Sequence, residues 1–433
     1  NTLAEDEAGE TPLALRWTSL RPDKLIAALY EMNRATDCDA FRAALRHWSA
    51  PIQNVVYADT QGTIAYSLPG TIPIRAKGDG RVPVPGWTGE YEWTGALPFE
   101  DLPHMVNPDA GFIATANNRV VGDGYPYFLS RDYCMGDRAQ RIVELIEAQP
   151  QIDIDYIRRM HLDQVSPHAR IIAGCMASLP VGADEEGLAR VVAMMAAWNG
   201  TLRADSPAGA VYQVFVREMI RALLEPELGD LAIRVAGKGP TPGLQGGSMF
   251  GERSWEWLER TLTMPAQGWF ARHSDGPGEA GARRDDVARA VLRRTVDILT
   301  EALGPEMAAW SWGGLHRLTL KHILGSVSPL DRVFNRGPWP LGGDQNTVWA
   351  TGSARYNARG ERIVGPVFRM IVDLGDVRNS RGVLLPGQSG RVGSAHYDDQ
   401  VDAWFKGETH PMLYTREDVE AAAEHRLRLE RMP

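Results

Sequence analysis

One stretch of the sequence constrains the rest of the fold, because it joins a strand-like run to a helix through a long polar loop. Residues 111–142 read GFIATANNRVVGDGYPYFLSRDYCMGDRAQRI. The small apolar and β-branched run 112–115 predicts a buried strand. Asp137 predicts the start of a helix, since apolar residues recur after it at helical spacing. Two amides, Asn117 and Asn118, follow the run directly, so a carboxamide is expected at the end of a strand.

An asparagine in that position has a chemical use and an ordinary structural one. Its carboxamide N–H can donate to the oxyanion that forms when an acyl carbonyl is attacked. Arg138, at the predicted helix start, can hold the polar end of a substrate or orient the asparagine. Paired asparagines are also common turn residues, and a helix arginine is usually a solvated charge. The stretch alone leaves both interpretations open.

The neighbouring sequence favours the chemical interpretation. Residues 85–121, PGWTGEYEWTGALPFEDLPHMVNPDAGFIATANNRVV, closely resemble the penicillin acylase family of N-terminal-nucleophile amidohydrolases, and the resemblance runs over nearly the whole chain. That family includes penicillin, cephalosporin, aculeacin and acyl-homoserine-lactone acylases. The resemblance implies an α+β fold, a four-layer αββα sandwich of two stacked antiparallel sheets with an inserted helical region. It also implies that this chain is the C-terminal part of a catalytic β subunit.

The resemblance assigns roles to particular residues. In the family, a precursor cleaves itself to expose an N-terminal Ser, Thr or Cys, whose α-amine is the general base and titrates near pH 8. Asn117 matches the carboxamide donor to the oxyanion, and Arg138 matches the arginine that orients the amine and the substrate. Gln53, together with Ala28 or Leu29, matches positions that line the acyl pocket. The polar Gln53 argues against a plain phenylacetyl pocket.

The nucleophile is not recognisable in this chain. Neither Asn1 nor Thr2 matches the family's nucleophile segment, so the first residues are interpreted as a cut within a longer chain. We therefore expect the nucleophile and the α subunit to lie on companion chains or upstream residues of the same processed precursor. The substrate is expected to be a small N-acyl compound. Family analogy implies a periplasmic or secreted enzyme.

Composition excludes several other classes of protein. The 433 residues carry a net charge of −9 without a lysine or arginine cluster, so nucleic acid and anionic membranes are not expected partners. No apolar run approaches the roughly 20 residues needed to span a bilayer. The dinucleotide and P-loop motifs are absent from the sequence. Three scattered cysteines fit free thiols better than a disulfide framework or a metal site.

No cofactor is expected to be required. The histidines lack zinc-site spacing. Some family members hold a structural calcium, for which the resemblance places a backbone carbonyl ligand in loop 78–83 and a carboxylate where this chain has Leu129 or Ser130, with Asp132 slightly later. This departure argues against calcium, and the remaining ligands would lie outside this chain.

The order of predicted elements is strands, then helices, then strands. We divide the chain into a sheet and loop part at 1–136, a mainly helical region at 137–305, and a return to the sandwich with a C-terminal helix at 306–433. Further predictions concern shorter pieces: helices at 22–35 and 37–48, a hairpin across 55–67, a surface loop at 276–284, strands at 368–373 and 382–385, and a final helix at 415–431.

Two rival functions remain open at this stage. One is a catalytically inactive binding or scaffold relative that holds a ligand with aromatic residues, Trp87, Tyr91 and Trp93. The other is an unrelated serine hydrolase that uses Ser389, with His396 and Asp398 or Asp399. A nucleophile elbow needs glycine two residues after the serine, where this chain has Arg391. We therefore interpret this segment as structural, together with residues 312–316 and 342–348.

Overall fold

The computed structural model describes residues 12–182, 184–232, 249–273, 277–353 and 363–431. It divides into two compact units, Asn1–Tyr133 and Cys134–Pro433. In the described ranges no helix is both long and apolar enough to cross a membrane, and the three cysteines are partly buried.

In its described residues, the first unit combines two short α-helices with five strands. Both predicted helices are confirmed. Asp37 caps the second helix by accepting from the backbone N–H of Ala40 at 2.8 Å. The predicted hairpin is also confirmed, and its turn is closed by the Asp59 carboxylate, which accepts from the N–H groups of Gln61 and Thr63. The elements are α1 Leu25–Met32, α2 Cys38–Ala44, β1 Val55–Ala58, β2 Ile64–Ser67, β3 Pro73–Arg75, β4 Trp93–Ala96 and β5 His104–Val106.

A three-stranded antiparallel sheet organises this unit, with β2 in the centre between β1 and β5. The register pairs Tyr57 with Ala65, and Ala65 with Val106. Tyr66, the next residue of β2, packs into a core cluster with Leu68, Ile72, Leu97 and Leu102, all buried. β3 and β4 form a separate antiparallel pair in the same unit.

The prediction of a strand at 112–115 is wrong, since these residues form no regular secondary structure. Both edges of β2 are already occupied, by β1 and by β5, so no ladder position is left there for a further strand. The side chain of Ile113 still packs against the core cluster. The apolar pattern at 112–115 therefore indicated that the segment is partly buried, but not that it pairs as a strand.

The second unit is built around helices that share one large apolar core. The central helix, Pro207–Leu228, is buried along most of its length, and Ser206 caps it by accepting from Gly209 N–H at 2.9 Å. The helices before the final strands are α3 Asp137–Glu147, α4 Ile154–His161, α5 Pro167–Ala177, α6 Glu186–Ala197, α7 Pro207–Leu228, α8 Met249–Thr263, α9 Trp269–Arg272 and α10 Pro277–Leu303.

The prediction of a surface loop at 276–284 is wrong for every described residue in it, because α10 begins at Pro277. Gly276 lies outside the described residues. Proline at the first helical position has its φ angle already set for the helix and lacks only an N–H that would be unpaired there. Ala280 is completely buried, so the first turns of this helix also contribute to the core.

The chain ends in short strands and helices. The predicted strands are confirmed as β10 and β11, which pair antiparallel with Arg369 opposite Val383. The final helix is shorter than predicted, since 423–431 are exposed and not helical, and a helix without a buried face is marginal in water. The elements are α11 Trp312–Leu315, β6 Arg317–Leu320, α12 Asp331–Phe334, β7 Arg336–Pro340, β8 Gly352–Ser353, β9 Ile363–Val364, β10 Phe368–Ile371, β11 Arg381–Leu384, α13 Val401–Lys406, β12 His410–Pro411 and α14 Arg416–Ala422.

Candidate active site

Asn117 lies at the exposed tip of a tight turn in the first unit, with a φ angle of 63°. The left-handed region is unfavourable for residues with a side chain, and local hydrogen bonds must hold it. Asn118 supplies them, since its Oδ1 accepts from Ala116 N–H at 3.0 Å and its Nδ2 donates to the Arg119 carbonyl at 2.9 Å. Ala116 is buried. These bonds therefore fix the backbone position of Asn117, from which its carboxamide extends.

Hydrogen bonds and an ion pair hold the loop after Asn117 within the first unit. Arg119 forms an ion pair with Asp123 at 2.6 Å. The hydroxyls of Tyr125 and Tyr127 donate to the backbone carbonyl and the carboxylate of Asp101, at 2.7 and 2.8 Å. These bonds restrain the loop on both sides of the tyrosines, so the turn around Asn117 is supported from its C-terminal side as well.

The predicted acyl-pocket residues also belong to the first unit. Gln53 is exposed just before β1, and its neighbour Asn54 accepts from the Tyr66 hydroxyl at 2.6 Å. Ala28 is completely buried, whereas Leu29 is 39% exposed. Of the two alternatives on α1, Leu29 therefore has side-chain surface that a ligand could contact.

Arg138 belongs to the second unit, where it is half-buried at the second position of α3. The structure thus places Asn117, Gln53, Ala28 and Leu29 in one unit and Arg138 in the other. Its sequence neighbour Asp137 is the first residue of α3 and is only 8% exposed.

A buried polar group around Asp137 has no counterpart in the sequence analysis. Burial is the main cause of the raised pKa of Asp137, which nearby backbone N–H groups partly lower. His168 is completely buried, with Nδ1 2.6 Å from the Tyr212 hydroxyl, and burial lowers its pKa to about 4. Burial, then the charges of Asp137 and Glu256, raise the pKa of Glu259 to about 7. The only sequence signal for this buried group was an aspartate at a predicted helix start. Nothing in the sequence relates Asp137 to His168.

The segments at 312–316 and 342–348 form a second buried polar group. Trp312 Nε1 donates to the Gly343 carbonyl at 2.8 Å. Asp344 is 3% exposed and accepts from Gln213 Nε2 at 2.8 Å and from Asn346 N–H at 2.7 Å. Burial raises the pKa of Asp344 to about 7. These bonds tie both segments to α7 as structural elements.

Ser389 and His396 are engaged in the geometry of their own loop. Ser389 Oγ accepts from the backbone N–H of Arg391 at 3.1 Å, and Ser389 N–H donates to the His396 carbonyl at 3.0 Å. The His396 ring lies 2.8 Å from Asp399, which raises the pKa of the imidazole. Asp398 pairs with Arg336. These contacts describe an ordered loop, in which the serine hydroxyl is used to close a turn.

The rival aromatic residues are partly covered by cations. The Arg16 guanidinium lies 4.6 Å from the Trp93 ring centre, and Lys77 lies 5.1 Å from that of Tyr91. Trp87 is 81% exposed. A cavity of about 360 Å³ in the first unit is lined by Arg16, Arg21, Asp23, Ser49, Trp93 and Thr94 among others, and by none of the predicted site residues.

In the loop predicted to supply a calcium ligand, two arginines pair with the carboxylate of Asp79. The Asp79 carboxylate accepts from Arg81 Nε at 2.7 Å and from Arg131 Nε at 2.9 Å. Both contacts lower the pKa of Asp79 and supply the positive charge that a cation would. Within the described ranges, no group of three or more His, Cys, Asp or Glu side chains could hold a metal ion.

Comparison with known proteins identifies what the chain resembles. The sequence model of the family described as penicillin amidase matches residues 3–421. Penicillin acylase 2 proenzyme of Pseudomonas sp. (strain SE83) is 32% identical, over 98% of this chain and 50% of the relative. Acyl-homoserine lactone acylase QuiP of Pseudomonas syringae pv. syringae (strain B728a) is 26% identical, over 97% of this chain and 51% of the relative.

A solved structure gives the fold. Thermostable penicillin G acylase from Alcaligenes faecalis superposes with a TM-score of 0.66 at 22% identity, over 95% of this chain and 73% of that one. The predicted N-terminal-nucleophile hydrolase fold is thereby confirmed. The chain spans about half the length of the curated relatives it matches.

Proposed function

Since the chain belongs to the penicillin amidase family, we propose that it is part of an amidohydrolase that cleaves an N-acyl amide with water into a carboxylic acid and an amine. The observation that carries this proposal is the turn at Asn117. The two bonds made by Asn118 hold the backbone of this turn, and Asn117 is exposed on it with a φ of 63°, so its carboxamide extends from a fixed backbone, as suits an oxyanion donor.

The proposed reaction has two stages. The side chain of an N-terminal Ser, Thr or Cys attacks the amide carbonyl, and its own α-amine takes the proton. The oxyanion accepts a hydrogen bond from the Asn117 carboxamide. The C–N bond then breaks, and the amine leaves with the proton. Water hydrolyses the remaining acyl-enzyme by the same route in reverse. Arg138 orients the α-amine and the substrate.

The nucleophile is proposed to lie in a part of the protein outside these residues, on a companion chain of the same precursor. Two observations support this. Relatives are about twice as long, and one of them is named a proenzyme. In addition, β10 is at the edge of its sheet and carries an exposed apolar face, with Phe368 51% and Met370 54% exposed. Such an edge is ordinarily covered in a native protein.

The substrate is proposed to be a small N-acyl compound, the class that the names of the relatives indicate. Gln53 places a polar group among the pocket positions and favours an acyl chain with a polar atom or a shape other than plain phenylacetyl. No cofactor is required by this chemistry. A periplasmic or secreted location is part of the same proposal.

Two glycine substitutions in the full-length protein test this function. Asn117→Gly removes the carboxamide while glycine keeps the left-handed backbone without strain. Loss of one oxyanion donor costs on the order of 3 kcal/mol, so kcat for an acyl-amide should fall about 100-fold. Asn107→Gly is the matched control, because Asn107 also has a positive φ, 45°, and its Oδ1 accepts from Ile64 N–H.

The control should lower Tm and leave kcat unchanged. If Asn117→Gly retained full kcat on every acyl-amide that the wild-type protein hydrolyses, the oxyanion assignment would be wrong. If the wild-type full-length protein hydrolysed no acyl-amide and carried no N-terminal Ser, Thr or Cys, the inactive-relative alternative would replace this proposal.

A further inference from the structure

The cavity of about 360 Å³ in the first unit is a candidate binding site that the proposed reaction does not use, since no residue predicted for the reaction lines it. Its volume lies at the lower end of the range for sites that bind small molecules. Residues between Arg16 and Asp23, just before α1, form one wall, and the antiparallel pair of β3 and β4 forms another.

Hydrogen bonds connect the walls of this cavity. The Thr71 N–H donates to the Ser49 carbonyl at 2.7 Å, and Ser49 Oγ donates to the Asp23 carboxylate at 2.5 Å. Pro73 on β3 pairs with Ala96 on β4. All five residues line the cavity. The site is therefore formed before a ligand arrives, and little ordering of the protein opposes binding.

The cavity offers one available positive charge. Of its two arginines, Arg16 is paired with Glu92 and lies over the Trp93 ring, 4.6 Å from its centre. The guanidinium of Arg21 makes no ion pair or hydrogen bond with any residue that the structure describes. A guanidinium can bind a carboxylate through two parallel N–H bonds, so Arg21 is suited to that group of a ligand.

The cavity also offers one available negative charge. Asp23 Oδ2 accepts from Ser49 Oγ, and Oδ1 accepts from Leu25 N–H at 3.2 Å. These two hydrogen bonds lower the pKa of Asp23, so the carboxylate is ionised at neutral pH. Each carboxylate oxygen can accept a second bond. Asp23 can therefore still accept from an ammonium group of a ligand.

The spacing of these two charges suits a compact ligand. Arg21 has an extended backbone, with φ of −102° and ψ of 143°, and the φ angle of Pro22 is fixed by its ring. Residues two apart in an extended segment point to the same side, with Cα atoms roughly 6–7 Å apart. In an α-amino acid a single carbon separates the carboxylate from the ammonium, so one such molecule can contact both Arg21 and Asp23.

We propose that this cavity binds a small zwitterion of the α-amino acid class, with its carboxylate on Arg21 and its ammonium on Asp23. Pro22, Pro73 and Trp93 supply apolar surface, which favours an apolar side chain on the ligand. A molecule with only one of the two charges would leave the other protein charge without a partner. This inference does not depend on the proposed function.

Isothermal titration calorimetry of the full-length protein with three related probes tests this proposal. L-phenylalanine carries both charges, phenylpropionate lacks the ammonium, and phenethylamine lacks the carboxylate. L-phenylalanine should bind saturably, and each analogue should bind about tenfold more weakly or less, because it loses one charge-assisted contact. Absence of saturable binding of L-phenylalanine, or equal affinity for all three probes, would overturn the proposal.

Two variants locate the binding. Arg21→Gln should weaken L-phenylalanine about tenfold and leave phenethylamine unchanged, whereas Asp23→Asn should weaken L-phenylalanine and leave phenylpropionate unchanged. Arg81→Gln, at an exposed arginine of the same unit outside the cavity, is the control and should change none of the affinities. Wild-type affinity for L-phenylalanine in both cavity variants would place its binding elsewhere and contradict the proposal. A failure to hydrolyse acyl-amides would leave these expectations unchanged.

Discussion

Among the residues that the structure describes, two other than glycine have a positive φ angle, Asn107 and Asn117. The Oδ1 atom of Asn107 accepts from the N–H of Ile64 at the start of β2, while the turn at Asn117 is closed by the side chain of its neighbour Asn118. The adjacent amides in the sequence were sufficient to single out Asn117. The left-handed backbone was not predictable, because it depends on bonds that only the folded turn shows.

A prediction at this scale concerns acyl specificity. Gln53→Leu in the full-length protein should favour apolar acyl chains, because leucine replaces the polar side chain by an apolar one. Such a change in a pocket alters the difference in activation free energy between two substrates by about 1–3 kcal/mol. The ratio of kcat/KM for a phenylacetyl amide over an amide with a polar acyl chain should therefore rise about tenfold. Gln61→Leu, on the exposed hairpin turn, is the control. An unchanged ratio for Gln53→Leu would remove Gln53 from the pocket.

A second residue-scale prediction concerns pH. The pKa of Glu259 is raised from 4.5 to about 7 by burial, Asp137 and Glu256, so the folded protein keeps this proton up to about pH 7 while the unfolded chain releases it near pH 4.5. The free energy of unfolding therefore falls as pH rises through that window. Glu259→Gln removes this loss, so its stability relative to wild type should grow between pH 4.5 and 8, by at most about 3 kcal/mol.

Urea unfolding at pH 4.5 and pH 8 measures this difference. Glu147→Gln, an exposed residue at the end of α3, should show the same difference from wild type at both values. A Glu259→Gln variant that gained no stability at the higher pH would mean that Glu259 is ionised without cost in the folded protein.

Local patterns predicted elements well where tertiary structure agreed with them. The helices at the start of the chain, the hairpin of β1 and β2, and the strands β10 and β11 follow from periodicity and turn residues. Two predictions failed for tertiary reasons. Residues 112–115 do not pair with β2, because β1 and β5 already occupy both of its edges. Residues 277–284 are helical, and Ala280 on this helix is buried in the core. The division of the chain at 136 and 305 remains a prediction.

The exposed face of β10 carries the prediction at the scale of elements. Met370→Lys should reduce the yield of the soluble full-length protein and lower its Tm by several degrees, because the lysine would lie where a companion segment is proposed to cover the strand. Leu427→Lys is the control, at a residue 86% exposed near the C-terminus, and it should change neither. Equal Tm and yield for both variants would show that β10 remains exposed in the whole protein.

For the whole molecule, the family and the fold were both recognisable from the sequence, whereas the site residues remain predictions. Asn117 and Arg138 stand out because they follow a motif. The buried position of Asp137 could not be found that way, since it depends on how the helices pack. The chain covers about half of the relatives it matches, and the proposal that residues outside it complete the reaction remains a prediction.

The most direct test is the intact mass and N-terminal sequence of the native full-length protein, purified from its source. We predict two or more polypeptides from one precursor, one of which contains residues of this chain and one of which begins with Ser, Thr or Cys. A single unprocessed polypeptide without such a terminus would contradict the central claim, because no N-terminal nucleophile would then be present for Asn117 to assist.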